Sequence, residues 1–155
     1  MDKNIAIVTV NNNGNSVEAN ICVEYLTRML VRYGENNNLE VTLWDVAGGD
    51  IDGMKSSIIL FHGPNAQEIL NTEQGIHRIV FRSEYDPQQR RFTVFTRIKT
   101  RANYNRNNLS APSPPEEPIR SYILYPYKLV INHVNGNESD AVDEILYRGK
   151  LELIL

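Results

Sequence analysis

Cysteine is almost missing. Cys22 is the only one in 155 residues, so no disulfide forms within the chain. A reducing, cytoplasmic setting is expected, and an organellar matrix or the cytoplasm of a virus-infected cell is compatible with it. Three scattered histidines and one thiol give no metal-ligand spacing, so neither a metal nor another cofactor is expected. No apolar run approaches the roughly 20 residues of a membrane span. The start, Met1-Asp2-Lys3-Asn4, has neither the basic flank nor the cleavage site of a signal peptide, so no membrane partner is expected. Gly48-Gly49 and Gly53 lack the spacing and the Lys-Ser/Thr ending of a phosphate loop and read as a turn. No Ser-His-Asp order stands ready to activate water, so the chain is expected not to be an enzyme.

What is present suits one domain of ordinary composition, 41% hydrophobic and 23% charged. Ile5-Ala6-Ile7-Val8-Thr9-Val10 reads as a strand. Asn15 and Glu18 have capping-box spacing before a helix. Val17, Ile21, Tyr25, Met29 and Tyr33 form its apolar stripe, Cys22 lies on or beside that face, and Gly34 marks its end. Residues 39–46 alternate as a strand and residues 57–61 form another. Pro64 begins a short helix through residues 66–71, closed by Gly75. Residues 90–101 read as a long strand, with Phe92, Val94, Thr96 and Ile98 on one face. Thr93, Phe95, Arg97, Lys99 and Arg101 lie on the other. Residues 102–118, rich in Pro and Asn, read as a linker. A strand over 119–131 is interrupted at Pro126, as at an edge or bulge. Ser139 or Asp140 caps a last helix through Tyr147, and Gly149 breaks it. The order predicts an α+β fold, a mostly antiparallel sheet with helices packed on one face.

Charge is unevenly spread. Residues 76–106 hold eight of the 16 basic residues and only two of the 19 acids, +6 against −9 for the rest. A basic stripe on an acidic body suits nucleic-acid contact; a solvated strand face is the plainer alternative.

The stretches "NSVEAN", "TEQGIHRIVFRSEYDPQQRRFTVF", "IRSYILYPYKLV" and "DAVDEILYRGKLELIL" follow one another along the chain. Together they resemble bacterial class I peptide chain release factors, most closely the type that reads UGA and UAA. "TEQGIHRIVFRSEYDPQQRRFTVF" resembles the signature region, with its codon-reading loop between Gly-Val-His-Arg-Leu-Val-Arg and Arg-Arg-His-Thr-Ser-Phe. "IRSYILYPYKLV" resembles the Ile-Arg-Ser-Tyr-x-Leu-x-Pro-Tyr strand, "DAVDEILYRGKLELIL" the C-terminal stretch, and "NSVEAN" a worn Gly-Gly-Thr-Glu-Ala turn. The resemblance implies a codon-recognition superdomain in two parts, 1–101 and 119–155. Residues 102–118 then stand where the family inserts its catalytic domain. No Gly-Gly-Gln tripeptide, which that domain carries, occurs in the sequence, and the family's N-terminal helical domain has no counterpart here. In the loop the family's Ser-Pro-Phe falls on Ser83-Glu84-Tyr85, its base-stacking His on Phe92 and its base-contacting Thr on Thr93, with no change in length.

These features imply a non-catalytic release-factor-like protein that binds RNA. The expected partner is the ribosome's small subunit with mRNA in the A site, and the effect is to modulate or block termination. Arg78, Arg82, Arg90, Arg91, Arg97, Lys99 and Arg101 are the expected phosphate contacts. Tyr85 and Phe92 are the expected stacking rings, and Ser83, Glu84 and Thr93 complete the loop's contacts. The alternatives are a protein that binds and stabilises a transcript, a protein-interaction module using the acidic surface, and an exposed hairpin tip without a ligand.

Overall fold

The computed structural model describes residues 3–12, 14–101 and 117–155. Its eight strands are β1 (Ile5–Asn11), β2 (Glu40–Gly48), β3 (Met54–His62), β4 (Gly75–Arg82), β5 (Arg91–Arg101), β6 (Pro118–Ile123), β7 (Leu129–Asn132) and β8 (Glu138–Ser139). They form one sheet in the order β2-β3-β1-β5-β4-β6-β7-β8. Each neighbouring pair runs antiparallel except β4 with β6, so the α+β expectation holds.

Three helices cover one face: α1 (Val17–Asn36), α2 (Ala66–Asn71) and α3 (Val142–Leu146). The core-facing strand residues Val8, Val10, Ile59, Phe61, Ile79, Phe81, Ile98, Tyr122 and Val130 join one cluster with Leu26 and Leu30 of α1. Leu70 of α2 and Ile145 and Leu146 of α3 belong to the same cluster. Cys22 is fully buried on α1's inner face; that burial pushes its thiol well above the usual range, which removes it as a nucleophile. The alternation expected in β5 is real: Thr96 and Ile98 are buried, while Arg91, Thr93 and Phe95 are exposed.

Several expectations need correction. The cap of α1 is Ser16, not Asn15: its Oγ accepts the Ala19 N–H at 3.1 Å, and no capping box forms with Glu18. Gly34 does not end α1 but lies buried within it, against β2 and β3. A Cβ there would sit 2.6 Å from Phe61 Cε1 and 2.8 Å from Val41 Cγ2. Gly75 opens β4 rather than closing α2. Residues 119–131 are two antiparallel strands, β6 and β7, and Pro126 lies in the turn between them rather than in a bulge. Ser139 accepts the Ala141 N–H without capping α3 directly. The proposed linker lies outside the described residues except for Glu117 and Pro118, and Pro118 begins β6.

β4 was not foreseen as a strand, and its core side explains why. His77, Glu73, Arg120 and Tyr122 are all buried there. Arg120 is ion-paired to Glu73, with Nη2 donating to Oε2 at 3.0 Å. His77 donates its Nε2–H to the Glu73 carbonyl and accepts the Tyr122 hydroxyl at Nδ1, each at 2.8 Å. Burial, then the nearby Arg120 charge, pushes His77 down to about 4, so it is neutral and structural. This network fastens β4 to β6, the neighbouring strands that pair in parallel.

Candidate nucleic-acid interface

Residues 83–90 join β4 to β5 and fold back on themselves. Ser83 is buried, and its Oγ accepts the Tyr85 N–H at 3.1 Å. Asp86 is nearly buried. It accepts the Arg90 N–H at 2.7 Å, Arg90 Nε at 3.0 Å and Arg90 Nη2 at 3.2 Å. Those hydrogen bonds from Arg90 hold the Asp86 carboxyl down to about 2. The Tyr85 hydroxyl donates to Asp52 Oδ2 at 2.6 Å, a bond that lowers the Asp52 carboxyl and raises the tyrosine. Asp52 lies in the β2–β3 turn, which rests directly on α1. Gly53 there has φ +77, and a Cβ on it would fall 2.4 Å from the Asn20 backbone. Loop, turn and the first turns of α1 are therefore tied together.

Beside the loop is a cleft of about 440 Å³, lined by Asn11, Asn12, Gly14, Ser16, Thr93, Phe95 and Arg97 among others. It arises because β5 outruns β1. Their pairing stops at Asn11 opposite Arg97, which leaves residues 91–96 without a β1 partner. Asn12 partly fills the gap, its Nδ2 donating to the Phe95 carbonyl at 2.8 Å. One Glu18 carboxylate oxygen, Oε2, is enclosed and accepts no hydrogen bond in the structure. Asn12, Ser16 and Phe95 were not singled out from sequence. The readable signal is the cluster of Asn and Ser just before α1.

The expected site residues divide. Thr93 and Arg97 line the cleft, and Tyr85 and Glu84 are exposed on the loop. Arg82 and Arg91 are exposed and face each other across the last register position of β4 and β5. The rest need correction. Ser83 is a buried brace, not a surface contact. Arg90 is held in the loop by Asp86, so its charge is largely matched before any phosphate arrives. Phe92 turns to the core side and packs on Phe81 with ring centroids 6.4 Å apart, so Phe95 is the exposed ring of β5, at 52%. Arg78 donates to Ser121 Oγ at 3.0 Å, and that hydroxyl also bonds His133 Nε2 at 2.7 Å. Lys99 and Arg101 are half-buried toward the far end of β5; Arg101 is about 33 Å from Arg91 along the strand. They continue the basic stripe along β5.

A braced loop, an open cleft at a helix start and a basic strand end thus lie on one face of the molecule. Residues 1–98 match the PCRF domain, and the chain belongs to that family. Peptide chain release factor 2 of Stenotrophomonas maltophilia is 37% identical over 98 residues, 63% of this chain and 26% of that protein. The same factor of Mycolicibacterium smegmatis is 35% identical over 98 residues, covering 27% of its length. The chain thus spans about a quarter of the length of these curated relatives. The solved structure of RF2 of Thermus thermophilus superposes with a TM-score of 0.81 at 20% identity, covering 97% of this chain and 66% of that one. That likeness extends the shared fold beyond residue 98, through β6 to α3.

Proposed function

We propose that this chain is a non-catalytic, RNA-binding relative of release factors that docks in the ribosomal decoding centre and modulates or blocks termination. The observation that carries the reading is the meeting of three features at one end of the sheet. These are the braced 83–90 loop, the cleft at the start of α1, and the exposed Arg82–Arg91 pair. Arg82, Arg91 and Arg97 hold phosphates, Phe95 offers a ring to a base, and Thr93 offers a hydroxyl. Glu84, where the family resemblance has Pro, places an acid beside anionic RNA. This disfavours binding unless a base amino group meets it, so stop-codon discrimination is altered or weakened. Hydrolysis is not part of the proposal, since the sequence carries no Gly-Gly-Gln tripeptide.

The test is co-sedimentation with ribosomes carrying UGA, UAA or a sense codon in the A site, at low and moderate salt. Codon-dependent binding supports reading of bases, and salt-sensitive binding without codon preference supports a blocker. Absence of ribosome binding rules the proposal out and turns attention to free transcripts. A parallel peptidyl-tRNA release assay should show no activity above background.

A further inference from the structure

The turn between β6 and β7 was given no role above, yet it stands at the same end of the sheet as the 83–90 loop. β6 runs parallel to β4 with Val80 opposite Ile123, and the Leu124 N–H donates to the Val80 carbonyl at 2.8 Å. Residues 124–128 therefore emerge beside Arg82. Two tyrosines are exposed there, Tyr125 at 38% and Tyr127 at 58%. The Arg82 guanidinium lies over the Tyr125 ring, 5.0 Å from its centroid. On the next strand Arg91 is the direct cross-strand partner of Arg82. Across β5, β4 and the turn after β6, the row thus reads Arg91, Arg82, Tyr125.

Like charges placed directly opposite on adjacent strands destabilise a sheet. Neither Arg82 nor Arg91 makes an ion pair among the described residues. An anion between the two guanidinium groups removes that repulsion, and a phosphodiester fits both in charge and in its capacity to accept forked hydrogen bonds. Tyr125 fixes Arg82 by the cation–π contact and so acts as a positioning residue. Tyr127 follows two residues later with its ring in solvent, an arrangement suited to stacking a base whose phosphate sits on the arginines.

We infer that the 124–128 turn, with Arg82 and Arg91, is a second nucleotide subsite. It takes one nucleotide of single-stranded RNA lying outside the cleft at Thr93 and Phe95. The inference rests on the RNA-binding reading and shares the Arg82–Arg91 pair with it; what it adds, Tyr125 and Tyr127, lies on a different element from the loop and the cleft. The cleft lies on β5 and the turn follows β6, so the two are separated by the width of β4, two strand spacings or about 10 Å. A strand of RNA can occupy both at once.

The experiment is fluorescence anisotropy with the whole chain and a short labelled oligouridine, over a salt series, comparing wild type with Tyr127→Ala, Tyr127→Phe and Arg91→Ala. Tyr127→Ala is expected to bind about tenfold more weakly with an unchanged salt slope, as loss of one stacked base requires. Tyr127→Phe keeps wild-type affinity, because the ring and not the hydroxyl does the stacking. Arg91→Ala weakens binding and makes the log–log salt slope shallower by about 0.7, the loss of one phosphate contact. If Tyr127→Ala binds like wild type while Arg91→Ala is weakened, the RNA reading stands and this subsite is wrong. If wild type binds no RNA even at low salt, the RNA reading fails, and the subsite with it. Unimpaired RNA binding by Tyr127→Ala, together with its loss of binding to poly-glutamate, assigns the turn to an acidic protein segment instead. Tyr127 is exposed and outside the core, so Tyr127→Ala is expected to fold; its thermal unfolding curve checks this.

Discussion

The Asp86–Arg90 contact shows how a single pair changes the meaning of a basic cluster. From sequence Arg90 and Arg91 are adjacent cations of equal standing. In the structure Arg90 is forked onto Asp86, while Arg91 faces solvent and Arg82. The two should therefore separate on mutation. In Arg91→Ala the RNA-binding salt slope falls. In Asp86→Ala the chief effect is on loop order, read as faster amide exchange at Arg90, whose N–H donates to Asp86. Equal salt-slope losses for Arg90→Ala and Arg91→Ala would contradict this division. The Asp86 carboxyl lies below its unfolded value, so its bracing is present above the unfolded pKa of about 3.9 and fades as pH falls through about 2. Acid therefore loosens the loop late. His77 acts earlier. Its pKa is about 4 when folded against 6.5 when unfolded, so the unfolded chain binds more protons between those values. Stability is complete above about pH 6.5 and declines toward pH 4, by an amount on the order of 3 kcal/mol. Urea unfolding at stepped pH checks it: a flat profile from pH 7 to pH 4 would remove His77 as the cause.

At the scale of elements, Gly34 is the sharpest case of local preference overruled by packing. Alanine in place of a helix-interior glycine ordinarily stabilises by about 1 kcal/mol. Here its methyl would meet the rings and branches of Phe61 and Val41 at under 3 Å, and Phe61 is fully buried. Gly34→Ala should therefore destabilise, by about 1–3 kcal/mol on urea unfolding. A gain in stability would mean that α1 does not lie so close to β2 and β3. The same contest explains what sequence disclosed and what it hid. α1 and β5 were legible because their apolar residues keep a clean period, and β1 because it is a short β-rich run, buried on both faces from Ala6 to Val10. β4 was hidden because its core side begins with His77 and meets a buried Arg120 on β6, polar groups that only a tertiary network makes tolerable. The β6–β7 reversal was misread because a proline in a tight turn and a proline in a bulge look alike in sequence. At the site, legibility failed by face. Alternation correctly separated Phe92 from Thr93, but the resemblance gave the stacking task to Phe92, which faces Phe81, while Phe95 holds the exposed position.

At the scale of the whole molecule, the two ends of the sheet differ in what they carry. Loop 83–90, the cleft and the 124–128 turn gather at one; β5 leaves and β6 enters at the other, about 33 Å away along β5. The sequence resemblance places a catalytic domain of release factors at that distant point, between residues 101 and 118 here. Because β4 lies between β5 and β6, the two attachment points are two strand spacings, about 10 Å, apart across the sheet, and Arg101 lies about 13 Å further along β5 than the level of Pro118; β5 itself carries the chain back, so the connection joins two strand ends at the same end of the sheet. Such a connection tolerates length well: doubling a flexible loop costs only about 0.6 kcal/mol in closure entropy. Lengthening the 102–117 segment with an equal run of Gly and Ser should thus lower urea stability by about that amount. It should leave RNA affinity unchanged, because the points where it joins β5 and β6 lie at the opposite end of the sheet from the 83–90 loop. A large loss of affinity in that variant, with stability intact, would mean that the lengthened segment reaches the RNA and that the two ends are not separate. Unchanged affinity would mean that an RNA-binding end and an insertion point coexist on one sheet without coupling, the physical condition for a release-factor body to keep its grip on RNA when the domain at its far end is exchanged or lost.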